Sequence, residues 1–269
     1  MIVAYNSAEV IGPCLEALAK WAPEMSVTVI DNASVDGTVD VARGTMGVEI
    51  VANRGNRGFA GAANQAFQIS HEEVVLLLNP DVRVGTRVEP LVAACATHGL
   101  AAGVLTDEAG VPQKGFSARS LPTASALVFE LLGVNRLWPS NPVNRRYRYL
   151  DRDLETAGPV EQPAGAFLMI RRDVWERLGG FDEGFHPAWF EDVDFCQRAL
   201  EAGYRIELVP VMRAVHDGGH SVNRLTLTSR TRFWYGSLLR YAGKHFGNGK
   251  YGTICLAAMI SVVPRICVG

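Results

Sequence analysis

The sequence predicts an α/β fold with a doubly wound, mostly parallel sheet, flanking helices and a helical C-terminal segment. Short β-rich runs alternate with amphipathic segments along the first hundred or so residues. After Glu73 the chain is continuously apolar as far as Leu78, which is typical of a strand covered on both faces. Polar clusters follow three of the strands, at the positions where doubly wound sheets bind ligands.

Each element follows from hydrophobic spacing. Ile2–Ala4 is typical of the end of a buried strand, and apolar residues at helical spacing predict a helix over Ala8–Trp21. The same criteria predict strands at Ser26–Ile30, Val48–Ala52 and Glu73–Leu78, a short helix ending at Val41 and a helix at Ala62–Ile69.

The polar clusters stand at Tyr5-Asn6, Asp31-Asn32 and Asn79–Asp81. All three follow predicted strands, so they meet at one edge of the sheet. This coincidence favours a nucleotide-type site over three unrelated turns. Taken alone, Asn79-Pro80-Asp81 is also typical of a strand-ending turn.

The glycine-rich loop Asn53–Gly61 carries the spacing GxxGxxG, which is a weak match to a dinucleotide-binding loop. Two interpretations stay open. It is either a flexible connector or a loop whose backbone N–H groups and Arg57 approach a diphosphate.

Three carboxylates, Glu191, Asp192 and Asp194, stand at the start of a predicted helix. Helix capping accounts for one or two of them. The preceding aromatic pair Trp189-Phe190 favours a catalytic corner beside a dry pocket, because desolvation raises the pKa of a carboxylate that acts as a base. Asp194 either forms a surface pair with Arg198, four positions later, or orients the base or binds acceptor hydroxyls.

Composition excludes several classes of protein. The chain has 269 residues, 48% of them hydrophobic, and a formal charge of −2 without a basic block, so we expect no nucleic-acid partner. Its five cysteines are scattered without CxxC spacing, which argues against a disulfide framework or structural zinc. No signal peptide is visible after Met1. We therefore expect a cytoplasmic protein.

Two segments lack clear periodicity. Gly115–Gly158 is expected to be either a mobile flap near the active site or a partly disordered loop. Beyond Ser221, basic and aromatic residues interleave, and the apolar run Thr253–Val268 is short for a transmembrane helix and interrupted by Pro264. Attachment to the inner face of the cell membrane and packing on the main domain are equally supported.

Eight motifs in order carry a family resemblance: VAYN, VIDNASVDGT, NRGFAGAAN, LLLNPD, GAFLMIRR, GGFDEGF, FEDVDFCQR and VHDGGHS. Over residues 1–221 the chain resembles glycosyltransferase family 2, and it looks most like the rhamnosyltransferase branch. The resemblance implies a GT-A domain over 1–221, with a nucleotide-sugar-binding half (1–100) and an acceptor and catalytic half (101–221). The segment 222–269 would be a basic, aromatic, helical appendage.

The resemblance also implies roles for individual residues. Asp31 would accept a hydrogen bond from a pyrimidine N–H, and Asp81 and His216 would bind a divalent cation, Mn²⁺ or Mg²⁺. Asp192 would be the catalytic base, with Glu191 beside it. The residues implied for nucleotide-sugar binding are Ala4, Tyr5, Asn6, Asp31, Asn32, Ser34, Asp36, Arg57, Asn64, Asn79 and Asp81. Those implied for acceptor binding are Trp189, Phe190 and Asp194.

The function that the resemblance implies is inverting transfer of a sugar from a dTDP- or UDP-sugar to a saccharide or lipid-linked saccharide, in cell-surface polysaccharide synthesis. Asn79 departs from the usual acidic metal motif, which predicts weaker cation binding. An alternative is a catalytically silent nucleotide-sugar-binding or scaffold protein. A nucleotidyltransferase is less favoured, because no lysine-rich triphosphate loop occurs near the N-terminus.

Overall fold

A computed structural model describes residues 1–218 and 226–266, and for 262–266 the backbone alone. The strands are β1 (Ile2–Ala4), β2 (Val27–Asp31), β3 (Val48–Ala52), β4 (Val74–Leu78), β5 (Val82–Val84), β6 (Gly99–Thr106), β7 (Ala118–Arg119), β8 (Gly158–Pro159), β9 (Gln162–Pro163), β10 (Phe167–Arg171) and β11 (Arg205–His216). The helices are α1 (Ala8–Trp21), α2 (Thr38–Arg43), α3 (Gly58–Ile69), α4 (Glu89–His98), α5 (Ala124–Leu131), α6 (Val134–Leu137), α7 (Pro142–Tyr147), α8 (Arg172–Leu178), α9 (Glu191–Glu201), α10 (Leu227–His245) and α11 (Asn248–Ile266).

The central sheet has the strand order β3-β2-β1-β4-β10-β6-β11-β5, with β8 paired to β11. Strands β1 to β4 are parallel where they pair, and β6 pairs in parallel with β11. Strand β10 lies antiparallel between β4 and β6. The sheet is therefore mixed but mostly parallel, which confirms the predicted fold class. Because β10 runs antiparallel to β4, the segment that precedes β10 lies at the ligand-binding edge of the sheet.

Both faces of the sheet are covered, as the continuous apolar strand predicts. In β4, Val75 and Leu77 pack into the core beneath α3, α8 and α9, whereas Leu76 and Leu78 pack into the core beneath α1 and α4. Successive side chains of a strand point to opposite faces, so a strand between two helical layers needs apolar residues at every position.

The glycine-rich loop is shorter than predicted. Helix α3 begins at Gly58 rather than at Ala62, so the last glycines of the motif form its first turn. Gly58 has φ +73°, and a Cβ there would lie 2.8 Å from His186 Cδ2. The N–H of Phe59 donates to the Pro187 carbonyl at 2.8 Å. The loop is thus anchored against the segment that precedes α9, which does not fit a flexible connector.

The segment 115–158 contains β7 and helices α5 to α7, contrary to the expectation of a mobile or disordered region. Arg148 donates to Glu130 at 3.0 Å and ties the end of α7 to α5. Helix α5 also packs against α11. Short helices with little periodicity of their own become ordered here because they pack on one another.

The predicted appendage forms α10 and α11, and the proposed boundary at 221/222 lies outside the described residues. Apolar side chains of α10 and α11 share a cluster with Phe185 and Phe190 of the main domain. Among the helices that the structure describes, none has the length and apolar character needed to cross a membrane.

A buried carboxylate joins α10 to α9. Asp194 is 0% exposed and accepts from Arg198 at 2.8 Å, while Lys244 and His245 of α10 lie 2.7 and 2.8 Å from its Oδ1. Burial favours a raised pKa, but the bonds from His245, Lys244 and Arg198 outweigh it and hold the pKa of Asp194 below its ordinary value. The pair with Arg198 is therefore an interior ion cluster and not the surface pair considered from the sequence.

Replacing this carboxylate should destabilise the chain. We expect Asp194→Asn to lower the free energy of unfolding by about 3 kcal/mol at pH 7, because it leaves three basic groups without their shared carboxylate. The folded-state pKa of Asp194 is lowered, so its stabilisation is present above a pH of about 4 and is lost as the pH falls below that. Urea denaturation at pH 7 and pH 3 measures both effects.

Asp173→Asn is the matched control, since Asp173 forms an exposed pair with Arg171 at 2.6 Å. It should cost less than about 1 kcal/mol. Equal losses in the two variants would contradict a special role for Asp194.

Candidate active site

A cavity of about 570 Å³ opens where β1 and β4 end and α9 begins. Tyr5 and Asp81 line it from the first half of the chain, and Asp192 and His216 line it from the second. This strand-end position is where doubly wound sheets bind ligands. The predicted site residues that line the cavity are Tyr5, Asn32, Asn79, Asp81, Trp189, Phe190, Glu191, Asp192 and His216.

The other predicted site residues lie outside the cavity lining. Some of them build the turn after β2: Ser34 Oγ accepts from the Asn6 N–H at 2.8 Å, and Asn6 Oδ1 accepts from the Val35 N–H at 2.8 Å. Asp36 accepts from the Thr38 N–H at 3.0 Å. These bonds connect the ends of β1 and β2 and fix the edge of the site. The predicted residues outside the lining are Ala4, Asn6, Asp31, Ser34, Asp36, Arg57, Asn64 and Asp194.

Asp31 ends β2 and is 2% exposed. Its Oδ2 accepts from the Ser34 N–H at 3.1 Å, while its Oδ1 is buried without a hydrogen-bond partner. A buried acceptor of this kind is costly unless a ligand satisfies it. The arrangement therefore suits an N–H donor from a bound ring.

Two predicted residues have other structural duties. Asn64 donates to the Phe181 carbonyl and accepts from the Phe181 N–H, both at 2.9 Å, so its amide holds the loop after α8 and is not directed at a diphosphate. Asp194 is enclosed in the ion cluster with α10, so it is not available to an acceptor. The side chain of Arg57 is exposed, whereas its backbone N–H donates to Asn32 Oδ1 at 2.9 Å.

Asp81 and His216 lie close together in the lining of the cavity. His216 Nε2 lies 3.7 Å from Asp81 Oδ1, and that oxygen is buried without a hydrogen-bond partner. His216 Nδ1 lies 3.0 Å from Gln113 Oε1, and the ring stacks on Phe116 at 4.8 Å. Burial lowers the pKa of His216, although Asp81 opposes the shift, so the imidazole stays neutral.

A neutral imidazole held through its other nitrogen and an unpaired carboxylate oxygen are suited to bind a divalent cation. Gln113 occupies the position of the outer partner that orients such a histidine. Among the residues described by the structure, no cluster of three or more His, Cys, Asp or Glu side chains could hold a metal ion. A cation bound there would need further ligands from outside this pair.

The catalytic candidates stand at the first turn of α9. Asp192 Oδ2 accepts from the Gly165 N–H at 2.9 Å and from Gln162 Nε2 at 3.3 Å, and its Oδ1 accepts from the Val193 N–H at 2.8 Å. A Cβ at Gly165 would lie 3.0 Å from the Asp192 Cβ. Glycine at this position therefore lets the turn that precedes β10 approach α9 closely. Glu191 is 6% exposed, and its Oε2 has no hydrogen-bond partner.

The two carboxyl groups differ in ionisation. Burial, and next the charge of Asp192, raise the pKa of Glu191 well above its ordinary value. Burial also raises the pKa of Asp192, but the N–H groups of Gly165 and Val193 and the charge of Arg119 oppose that rise. Glu191 therefore releases its proton at a higher pH than Asp192, which favours Asp192 as the ionised member of the pair.

The aromatic approach adopts an unusual backbone. Trp189 and Phe190 have φ of 77° and 70°, in the left-handed region that non-glycine residues seldom occupy. Phe190 lines the cavity and packs against Tyr241 with ring centroids 5.4 Å apart. The packing on α10 holds the strained turn that starts α9.

Sequence reasoning missed Arg119, Gln162 and Gln113. Arg119 and Gln162 line the cavity and stand opposite each other in the small β7–β9 ladder. No spacing signal marks these residues. Arg119 lies in the segment 115–158, which lacks clear periodicity, and Gln113 and Gln162 flank that segment. Gly165, within the motif GAFLMIRR, was the available sign that the turn before β10 approaches the site.

Comparison with known proteins decides the family. The family model described as Glycosyl transferase family 2 matches residues 1–179, which is more than half of the chain. A second model, Glycosyl transferase family group 2, matches residues 152–267.

The chain belongs to glycosyltransferase family 2.

Relatives extend this assignment. An N-acetylglucosaminyl-diphospho-decaprenol L-rhamnosyltransferase of Mycobacterium tuberculosis is 30% identical over 234 residues, covering 79% of this chain and 75% of that protein. Rhamnosyltransferase WbbL of Escherichia coli K12 is 25% identical over 260 residues, covering 91% and 92%. Mannosyltransferase PcManGT of Pyrobaculum calidifontis, solved with GDP-Man and Mn²⁺, matches all of this chain and 74% of its own with a TM-score of 0.59 at 17% identity. That structural likeness shows the GT-A fold.

This family 2 glycosyltransferase therefore combines two features in one cavity: an Asp–His pair suited to a cation and a charged carboxylate on α9. The family assignment favours an enzyme over the catalytically silent binding protein.

The two carboxyl groups of α9 should respond differently to isosteric replacement. We expect Asp192→Asn to lower kcat by about a hundred- to ten-thousand-fold, because it removes the charged base. Glu191→Gln should change kcat by less than about tenfold, because the raised pKa of Glu191 favours the neutral carboxyl group that glutamine resembles. The measurement is nucleotide diphosphate release from a sugar donor in the presence of acceptor. Both variants should retain nucleotide affinity, and the reverse order of losses would contradict the assignment.

Proposed function

We propose that this glycosyltransferase transfers a sugar, with rhamnose the leading candidate, from a dTDP- or UDP-sugar to a saccharide hydroxyl with inversion at the anomeric carbon. The observation that carries the proposal is the single cavity with the Asp81–His216 pair on one wall and Asp192 on another. The acceptor would be a saccharide or a lipid-linked saccharide used in cell-surface polysaccharide synthesis. The names of the two rhamnosyltransferase relatives support this choice of sugar.

For the donor, the strand-end residues would receive the nucleotide. Asp31 Oδ1, buried without a partner, would accept the ring N–H of uracil or thymine. Asp31 lies just behind the cavity lining, next to Asn32, which lines the cavity as Tyr5 does. A ring N–H beside a carbonyl is common to both pyrimidines, so this contact supports dTDP and UDP alike. Ala4, Asn6, Ser34 and Asp36 would shape this pocket through the bonds that join β1 to β2.

For the diphosphate, Asp81 and His216 would hold Mn²⁺ or Mg²⁺. Bound there, the cation would offset the negative charge that develops on the departing nucleotide diphosphate. The structure of PcManGT with GDP-Man and Mn²⁺ supports a divalent cation in this fold. Asn79 lines the cavity beside them and contributes an uncharged amide, so we expect weaker cation binding than a second carboxylate would give.

For the acceptor, Asp192 would take the proton of the attacking hydroxyl. Its Oδ2 already accepts from Gly165 and Gln162, whereas Oδ1 accepts from Val193 and retains capacity to accept a further hydrogen bond. Glu191, kept neutral, would donate a hydrogen bond to an acceptor oxygen without competing for the proton. Trp189 and Phe190 would provide apolar surface for the face of a sugar ring.

Membrane contact would suit a lipid-linked acceptor. Leu256, Met259 and Ile260 stand at helical spacing on α11 and are all exposed. Exposed basic residues, Arg232 and Lys250, lie on the same helix pair. An exposed apolar stripe on a helix pair that also carries exposed basic residues favours a membrane surface bearing anionic lipids. We therefore propose a cytoplasmic protein that attaches peripherally to the inner face of the membrane.

Nucleotide titration tests the donor site. We expect calorimetry to detect dTDP or UDP binding that is stronger with Mn²⁺ than with EDTA, and weaker binding of GDP. Asp81→Asn should abolish the Mn²⁺ effect, whereas the exposed turn variant Asp107→Asn should leave it unchanged. Binding that ignores Mn²⁺ in the unaltered protein would remove Asp81 and His216 from the proposed metal site.

Vesicle binding tests the membrane proposal. The double variant Met259→Glu, Ile260→Glu should reduce co-sedimentation with phosphatidylglycerol vesicles by about tenfold or more, because it places two acidic groups on the apolar stripe. Val211→Glu is the control, since Val211 is an exposed apolar residue of β11. The proposal fails if the unaltered protein does not sediment with these vesicles, or if both variants lose binding equally.

A further inference from the structure

Several buried polar atoms around the cavity have no hydrogen-bond partner. Among the side chains described for residues 1–218 and 226–261, the buried atoms without a partner are Asp31 Oδ1, Asp81 Oδ1, Arg119 Nε, Gln162 Oε1 and Glu191 Oε2. The proposed roles in donor binding, metal binding and catalysis account for Asp31, Asp81 and Glu191, respectively. Arg119 Nε and Gln162 Oε1 remain without a role. Because buried unsatisfied groups are rare in folded proteins, these two atoms point to a ligand.

Arg119 and Gln162 form one unit beside the base. They are opposite each other in the antiparallel β7–β9 ladder, and both line the cavity. Gln162 is 4% exposed and donates to Asp192 Oδ2 at 3.3 Å. Its amide nitrogen is thus committed to the base, and its amide oxygen is left for a ligand. Arg119 therefore pairs across the ladder with the residue that contacts the proposed base, Asp192.

The charge of Arg119 is not neutralised by an ion pair in the described structure. Its guanidinium lies 5.9 Å from the rings of both Phe116 and Tyr147, which hold it in place without cancelling its charge. By contrast, Arg148, which also lines the cavity, is paired with Glu130 at 3.0 Å. A guanidinium with an unsatisfied Nε is suited to bidentate binding of a phosphate.

The position of Arg119 places it beside the base. It stands opposite Gln162, which donates to Asp192 Oδ2, and its charge acts on Asp192. A phosphate bound by Arg119 would therefore lie next to Asp192, on the side of the cavity where the acceptor is proposed to bind. The diphosphate of the donor carries the same chemistry, and nucleotide titration separates the two sources.

We propose that Arg119 binds a phosphate group of the acceptor, with Gln162 Oε1 accepting from a neighbouring acceptor hydroxyl, so that the acceptor is a saccharide linked to a phosphate or diphosphate. This rests on the proposed function, because it assumes that Asp192 faces the acceptor. The pair would act as a specificity device: Arg119 selects acceptors that carry the anion, and Gln162 connects that binding to the orientation of the base.

The test uses geranyl diphosphate as a probe, because it carries the diphosphate without assuming the sugar. Titrations are done in EDTA, so that the metal pair does not contribute, and in parallel with dTDP and UDP in Mn²⁺. We expect the unaltered protein to bind geranyl diphosphate and Arg119→Gln to weaken that binding by about tenfold or more. Nucleotide affinity should be unchanged in Arg119→Gln, which also shows that the variant is folded.

Arg177→Gln is the matched control, because Arg177 lies 5.6 Å from the Tyr204 ring and does not line the cavity. Arg119→Lys should restore part of the affinity, since it returns the charge without the planar fork. Loss of nucleotide binding in Arg119→Gln would assign the residue to the donor and overturn the proposal. Unchanged geranyl diphosphate binding would overturn it as well. If the unaltered protein binds no nucleotide, the proposed function itself fails, whatever Arg119 does.

Discussion

The buried ion cluster around Asp194 is the interaction on which the rest of the site depends. It joins α10 to α9 at Asp194, three residues after α9 begins. Helix α9 therefore carries one carboxylate, Asp194, into the interior and another, Asp192, into the cavity. Helix α10 in turn packs on Phe190 and supplies Trp234 to the cavity wall. The left-handed turn at Trp189-Phe190 can therefore persist, because packing on both sides over-determines it.

Much of the fold was accessible from the sequence. The bounds of β1, α1 and β3 agree with the predicted ones, since their apolar spacing is regular and their ends are marked by polar residues. Strand β10 was not foreseen as antiparallel, because its apolar run carries no sign of direction. The start of α3 at Gly58 was missed for a different reason. Its glycine is fitted against the segment 186–187, a contact that only the tertiary structure creates.

The site was predictable in its acidic and strand-end residues and not in its supporting ones. Tyr5, Asp81 and Asp192 stand where strong local signals meet: a strand end or a helix start. Arg119 and Gln162 reach the base only because a two-residue ladder folds over the cavity, and neither residue has a local signature. Asn64 and Asp194 show the converse. Their residue types suited a ligand, yet the fold commits their polar atoms to a backbone and to an ion cluster.

The central claim is that a single charged carboxylate, Asp192, activates the acceptor for direct displacement at the anomeric carbon. The most direct measurement is the anomeric configuration of the product, determined by NMR and compared with that of the sugar donor. Direct displacement predicts inversion, with no sugar attached to the protein by mass spectrometry. Retention of configuration, or a covalent sugar adduct on a side chain of the cavity, would contradict the account.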